Sequence, residues 1–158
     1  MSLNTFPTSG RHENRQLLVE NKVTFNGPET ELSIYDTYRS STGVALNADH
    51  LLYCGMVSGR KVMHDHYNAS GELFVPHESY VMPPGEHVEI DFPDANEQQP
   101  TTCLTIEISR ERIEAISSRM RDLVKTDVPE YNWEYQPRII HKHHTQDTQH
   151  LLEKMVSF

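Results

Sequence analysis

The sequence contains few of the residues that assign a function quickly. It has two cysteines and a single tryptophan among its 158 residues. Neither Cys54 nor Cys103 has a second cysteine at the spacing of a zinc-binding pair, and two cysteines are a weak signal for a disulfide. Both lie within apolar strand patterns, so we expect buried, reduced thiols in a cytoplasmic protein.

Long apolar runs and excess positive charge are also missing. No segment approaches the ~20 apolar residues of a membrane span, and the polar N-terminus does not resemble a signal peptide. The formal net charge is −9, whereas a domain that binds nucleic acid by itself needs a basic surface that neutralises phosphates. We therefore expect a soluble chain that has no membrane partner and does not bind DNA by itself.

Signatures of covalent catalysis are absent as well. The chain has no Gly-x-Ser-x-Gly elbow and no glycine-rich phosphate loop before a helix. Thiols in the middle of strands are usually inert. The residues therefore give no sign of nucleophilic catalysis.

The chain does contain a series of short alternating strands separated by turn residues. The clearest pair is joined at Pro83–Glu86, where two prolines cannot donate ladder hydrogen bonds and Gly85 permits a tight reversal. Short strands with turns this close together predict an all-β sandwich or a closed barrel over residues 16–108, after a flexible start at residues 1–15. The seven predicted strands are Leu17–Phe25, Leu32–Tyr38, Leu51–Val57, Lys61–His66, His77–Met82, His87–Phe92 and Thr101–Ile108.

Two amphipathic helical patterns follow these strands. The first predicts a helix at Ser109–Val124 with Ser109 as the N-cap, and we expect at least half of its apolar stripe to pack on the barrel. The second begins near Thr145 and runs to Phe158 without a stop signal, so we expect the chain to be a segment of a longer protein. The first stripe consists of Ile113, Ile116, Met120, Leu123 and Val124.

Histidines suggest a metal site at first sight. His64 and His66 would point the same way on a strand, and with His87 they approach the ligand pattern of metal-binding cupin barrels. However, the spacings from Gly59 and to Glu72 do not match that pattern, and a one-residue slip turns a strand side chain to the opposite face. We predict no metal site and keep a centre at His64, His66 and His87 as the alternative.

A second histidine group lies near the C-terminus, in a polar connection. It has no acidic residue or cysteine at a fixed spacing, so we expect a solvated and locally disordered loop. Its members are His141, His143, His144 and His150.

Three segments together resemble the N-terminal, cupin-like domain of AraC-type transcriptional regulators. They are Leu51–Val57 with the hairpin at Ser58–Lys61, the segment Val81–Ala95, and the strand and helix of Cys103–Ile116. Thr145–Phe158 is similar to the helix that leads towards the C-terminal part of such regulators. The resemblance implies a mostly β, cupin-like (jelly-roll) barrel followed by two amphipathic helices.

The resemblance also implies a function, namely the effector-sensing and dimerisation domain of a bacterial regulator. It implies that the chain is not an enzyme, has no catalytic residues and uses no cofactor. A small-molecule effector in the barrel would favour one arrangement of the helices packed on it. The helical segment 109–158 would form a homodimer, and DNA would be bound only through a C-terminal domain absent from this chain. The predicted dimer seam consists of Ile113, Ile116, Met120 and Leu123.

Within the barrel we predict a ligand site of polar and aromatic strand residues, a mixture typical of such sites. Two other functions remain open: a stand-alone cupin metalloenzyme that uses His64, His66 and His87, and a barrel with a filled interior that only dimerises. The predicted ligand-binding residues are Tyr53, His64, His66, Tyr80 and Glu107.

Overall fold

The computed structural model of the protein describes residues 20–123 and 139–157. These residues are mostly β, as predicted, while the predicted flexible start at residues 1–15 lies outside them. The described elements are, in chain order, β1 (Glu20–Gly27), β2 (Thr30–Thr37), β3 (Ser41–Asn47), β4 (Leu51–Ser58), β5 (Lys61–His64), β6 (Glu72–Phe74), β7 (Glu78–Met82), β8 (His87–Phe92), β9 (Thr101–Ile108), α1 (Arg110–Leu123), β10 (Ile140–His143) and α2 (Gln146–Val156).

The strands form two antiparallel sheets. The larger sheet has the order β1-β2-β9-β4-β7-β10, and the smaller sheet has the order β3-β8-β5-β6. Within the described ranges the two sheets do not join into one continuous barrel, so the cupin-like jelly roll keeps the edges that closure would have removed. Gly59 turns the chain from β4 in one sheet to β5 in the other with φ 74°, and a Cβ there would lie 2.7 Å from Thr101 Oγ1.

The main hydrophobic core lies between the two sheets. Strand alternation directs every second side chain inwards, as on β8, where Val88, Ile90 and Phe92 are buried and His87 and Glu89 are exposed. The larger sheet contributes Leu52, Cys54, Met56, Tyr80 and Met82, and the smaller sheet contributes Met63, Phe74, Val88, Ile90 and Phe92.

Helix α2 covers the outer face of the larger sheet. Thr145 caps it by accepting a hydrogen bond from the Thr148 backbone N–H, close to the predicted start of the helix. Leu152 is buried against this face, and a Cβ at position 55 would lie 2.6 Å from Leu152 Cδ1. Gly55 therefore allows the helix to approach the strand closely.

Helix α1 has its predicted N-cap, because Ser109 Oγ accepts a hydrogen bond from the Arg112 backbone N–H. The expected packing of half its apolar stripe is wrong: no residue of α1 is buried, and Ile116 and Leu123 are 46% and 74% exposed. The outer face next to β9 is already occupied by α2 through Leu152. Val124 lies outside the described residues.

Three strands, β3, β6 and β10, were not predicted. The largest difference is β10, because His141 and His143 were expected in a disordered loop and instead pair with β7 opposite Tyr80 and Glu78. The open edge of β7 offers backbone hydrogen bonds whatever the polarity of the added side chains. The predicted helical segment 109–158 therefore also contributes a strand to the larger sheet.

Strand β5 ends at His64 and not at His66. Asp65 Oδ1 accepts hydrogen bonds from the backbone N–H groups of Tyr67 and Asn68, and this turn competes with the extension of the strand.

In the described parts of the chain, neither helix has the length and apolar character to cross a membrane.

Candidate functional site

A lysine is buried in the layer between the two sheets. Lys61 on β5 is only 1% exposed. Its Nζ lies 3.1 Å from Cys54 Sγ on β4 and 3.3 Å from Tyr80 Oη on β7. The ammonium group therefore reaches from the smaller sheet to two strands of the larger sheet, and we call Lys61, Cys54, Tyr80 and the neighbouring Cys103 the interior cluster.

The position of Lys61 follows from the alternation of β5. Lys61 and Met63 are buried, while Val62 and His64 on the opposite face are partly exposed. One residue earlier, the Arg60 side chain lies at the surface and pairs with Asp94. The register of a single strand therefore separates a buried cation from an exposed one.

The positive charge of Lys61 has groups beside it in the interior cluster that can carry a compensating negative charge. A buried ammonium is costly unless an anion accompanies it. A hydrogen bond from Cys103 and the charge of Lys61 lower the pKa of Cys54 to about 5, against the effect of burial. Burial acts to lower the pKa of Lys61, but the neighbouring cysteines raise it well above its usual value. These pKa directions favour a Lys61 ammonium beside a Cys54 thiolate.

Polar side chains continue from the interior cluster along the inner face of β2 and β9. Ser33, Thr37 and Thr105 are buried there. Burial, followed by the charge of Glu31, raises the pKa of Glu107. The interior therefore has an apolar side near β8 and a polar side near β2.

The five predicted ligand residues fall on both sides of the sheets. Tyr80 belongs to the interior cluster, and Glu107 shares the inner face of β9 with Cys103. Tyr53 lies on the outer face under α2. His64 lies on the outer face of the smaller sheet, where its Nε2 is 2.9 Å from Asp91 Oδ2, and His66 is exposed in the turn after β5.

The alternative metal centre is not assembled. The Nδ1 of His64 lies 3.2 Å from the Ala69 carbonyl oxygen, and its other ring nitrogen pairs with Asp91. His87 is exposed on β8 with its Nδ1 2.7 Å from Asn47 Oδ1. Because β5 ends at His64, the expected pairing of His64 and His66 on one strand face is lost. The structure does not bring His64, His66 and His87 together.

Sequence reasoning missed Lys61 and treated Cys54 only as an inert buried thiol. The buried, reduced state of both cysteines is confirmed. The available signal was strand parity, since Lys61 and Met63 share one face of β5. Without that parity, a lysine two residues after a hairpin glycine, as Lys61 is after Gly59, is typical of a solvated turn.

The family of AraC-type transcriptional regulator N-termini matches residues 28–157. A search of curated proteins found no match. Among solved structures, apo ToxT from Vibrio cholerae is 10% identical, with 84% of this chain and 48% of that chain covered and a TM-score of 0.58. A second crystal form of ToxT is 12% identical, with 83% and 48% covered and the same TM-score of 0.58.

A cupin superfamily protein from Desulfitobacterium hafniense is 10% identical, with 69% of this chain and 99% of that chain covered and a TM-score of 0.47. The present chain spans about half the length of ToxT, and at these identities the structural likeness to ToxT shows the fold alone. The family match, in contrast, covers most of the chain. The chain therefore belongs to the family of AraC-type transcriptional regulator N-terminal domains.

Proposed function

We propose that this chain is the effector-sensing and dimerisation domain of a bacterial AraC-type regulator and not an enzyme. Membership of the family supports a regulatory role. The net charge of −9 supports DNA contact through another part of the full-length protein, which would act in the cytoplasm. The observation that carries the proposal is the buried ammonium of Lys61, between Cys54 and Tyr80.

The effector that suits this interior is a small anion, such as a carboxylate. An anion that binds the Lys61 ammonium can take over the role of the Cys54 thiolate, and Cys54 then becomes a neutral thiol. The net charge of the buried group is then unchanged, which avoids the cost of leaving a charge unpaired. Hydroxyl groups of Ser33, Thr37 and Thr105 would accommodate the polar remainder of the effector.

Strand β4 supports transmission from the interior to α2. Cys54 and Met56 face the core, whereas the alternate residues Tyr53 and Gly55 face the helix. The amide of Gln149 on α2 also donates to the Val57 carbonyl oxygen. A shift of β4 on effector binding would therefore change the position of α2 on the larger sheet. The effector would act by shifting the population between two such positions.

The dimer seam proposed on α1 is supported by its exposed apolar stripe. Ile116, Met120 and Leu123 are 46%, 36% and 74% exposed, and Ile113 is partly exposed. Apolar residues in one stripe on an uncovered helix are typical of an interaction surface. A second copy of the chain would cover the stripe by antiparallel or parallel pairing of the two α1 helices.

A panel of small carboxylates and organic phosphates, tested by thermal unfolding, examines the sensing proposal. We expect at least one anion to raise the Tm of the wild type by several degrees at saturating concentration. The Arg60→Met variant should respond like the wild type, because Arg60 is exposed, and Lys61→Met should not respond. Circular dichroism of both variants verifies the fold. An equal response in Lys61→Met, or no response to any anion in the wild type, contradicts the proposal.

A further inference from the structure

The edges of the two sheets meet at a cluster of histidines and glutamates. His141 on β10, the edge of the larger sheet, places its Nδ1 2.5 Å from Glu72 Oε1 on β6, the edge of the smaller sheet. The imidazole also lies against the Phe74 ring, with centroids 4.4 Å apart. His141 is thus held in a fixed orientation by residues that are 67 to 69 positions away in the chain.

Two further side chains reach the same point. His143 shares a face of β10 with His141 and is paired in register with Glu78 of β7. His143 Nδ1 is 3.3 Å from Glu78 Oε1, and His141 Nε2 is 3.7 Å from Glu78 Oε2. One potential ligand atom from each of Glu78, His141 and His143 lies within 4.8 Å of the others.

The ring nitrogens of His141 have different environments. Glu72 accepts a hydrogen bond from Nδ1–H, which leaves the lone pair of the neutral ring on Nε2. That Nε2 is buried and has no hydrogen-bond partner among the described residues. The Glu78 carboxylate oxygen Oε2, which is also an acceptor, lies 3.7 Å away. A cation between these two acceptors would satisfy both of them, as would a proton on Nε2 or a bridging water.

We infer that Glu78, His141 and His143 bind a divalent first-row transition ion, for which Zn²⁺ is the appropriate probe. Zinc takes imidazole nitrogen and carboxylate oxygen at about 2.0–2.2 Å, so tetrahedral ligands lie about 3.3–3.5 Å apart. The imidazoles of His143 and His141 lie 3.3 and 3.7 Å from different oxygens of Glu78, and the three candidate ligand atoms lie within 4.8 Å of one another, so metal binding would draw them closer together. Glu72 would orient His141 through Nδ1, the usual partner of a zinc-bound histidine. Three protein ligands leave one position for water or an exogenous ligand.

A metal at this position would fasten β10 to β7. The chain passes from His143 through His144 and Thr145 directly into α2. The His144 backbone N–H donates a hydrogen bond to the His77 carbonyl oxygen, which extends the backbone pairing of β10 with β7 by one more contact. Metal occupancy would therefore stabilise the strand that leads into α2, independently of any effector in the interior.

Titration of metal-free, untagged protein with Zn²⁺ by calorimetry, and with Co²⁺ by visible absorption, tests this site. We expect one equivalent to bind and the Co²⁺ bands to be those of nitrogen and oxygen ligands in a four-coordinate site. The His143→Ala variant should bind roughly tenfold more weakly or worse, and Glu78→Gln should behave alike. His150→Ala, which removes an exposed histidine of α2, should bind like the wild type.

Circular dichroism verifies that each variant is folded, and His143 is 79% exposed, so its removal leaves the core intact. Binding that is unchanged in folded His143→Ala, or that is equally weakened in His150→Ala, overturns the site. The absence of a stoichiometric binding step in the wild type overturns it as well.

Discussion

At the scale of single residues, the orientation of one side chain decides the chemistry of the interior. Lys61 and Arg60 are neighbours, yet Lys61 meets Cys54 in the core and Arg60 pairs with Asp94 at the surface. Alternation along a strand is predictable in principle, but the register that selects the inward set depends on pairing with distant strands. The sequence predicted buried thiols correctly and could not show that a cation lies beside them.

The same limit applies to the predicted site residues. Tyr80 lies in the interior cluster, whereas Tyr53 faces α2, His64 faces outwards and His66 is in a turn. Whether the five residues bind a ligand stays a prediction. The group of Glu72, Glu78, His141 and His143 at the sheet edges could not be predicted for another reason. Glu72 and His141 are 69 residues apart in the chain and meet only through the sheet topology.

The pair of His64 and Asp91 gives the first residue-scale prediction, which concerns pH. The hydrogen bond to Asp91 raises the pKa of His64 above its ordinary 6.5. Protonated His64 therefore stabilises the folded state, fully below about pH 6.5, and this contribution is lost as pH rises through the raised pKa. Replacing His64 with Gln should cost about 0.5–1 kcal/mol near pH 5.5, since the pair is partly exposed, and close to zero near pH 9.

Urea unfolding of wild type and His64→Gln at both pH values measures this difference. His87→Gln is the control, because it removes another histidine from a strand of the same sheet. A difference between wild type and His64→Gln that stays constant with pH would exclude the ion pair as its source.

At the scale of elements, α2 packs on the larger sheet, whereas α1 buries none of its residues. Helix α2 is anchored by Leu152, which is 4% exposed, whereas its neighbour Leu151 is 58% exposed. We expect Leu152→Ala to lower the free energy of unfolding by about 2–3 kcal/mol, because it leaves a cavity over β4. Leu151→Ala should change it by less than about 0.5 kcal/mol. Chemical denaturation of the two variants measures both values, and equal effects would show that α2 does not pack as described.

Helix α1 provides the second element-scale prediction. Met120→Lys places a charge in the apolar stripe and should weaken self-association at least about tenfold, because a lysine ammonium is costly at the centre of an apolar interface. Ser118→Lys adds the same charge on the opposite side of the helix and should leave association unchanged. Sedimentation velocity over a range of concentrations measures both, and dimers of equal strength in the two variants would place the seam elsewhere.

Most of the elements could be predicted, and the exceptions share a cause. Strands with clear alternation and flanking turns, such as β8 and β9, have the predicted bounds. Of the strands that were missed, β6 is short, β10 carries polar side chains, and β3 has an irregular register with β8 between Ser41 and Val44. They form because a neighbouring strand offers backbone partners, and this information is not local in the sequence. The failure of α1 to pack also depends on a remote element, since α2 covers the face that was expected to receive it.

At the scale of the whole molecule, the interior cluster joins two sheets that do not merge within the described ranges. Lys61 belongs to the smaller sheet, and Cys54 and Tyr80 belong to the larger one. Cys54 lies on β4, the strand whose other face carries α2. Our central claim is therefore that the charge state of the interior cluster and the packing of α2 on the larger sheet are coupled through β4.

Hydrogen exchange with mass spectrometry tests this coupling most directly, in wild type, Lys61→Met and Arg60→Met. We expect the backbone amides of Leu51–Ser58 and Gln146–Val156 to exchange faster in Lys61→Met than in the wild type. The amides of Ser41–Asn47, at the far edge of the smaller sheet, should keep their protection. Arg60→Met should exchange like the wild type throughout. Unchanged protection of Gln146–Val156 in folded Lys61→Met would contradict the claim.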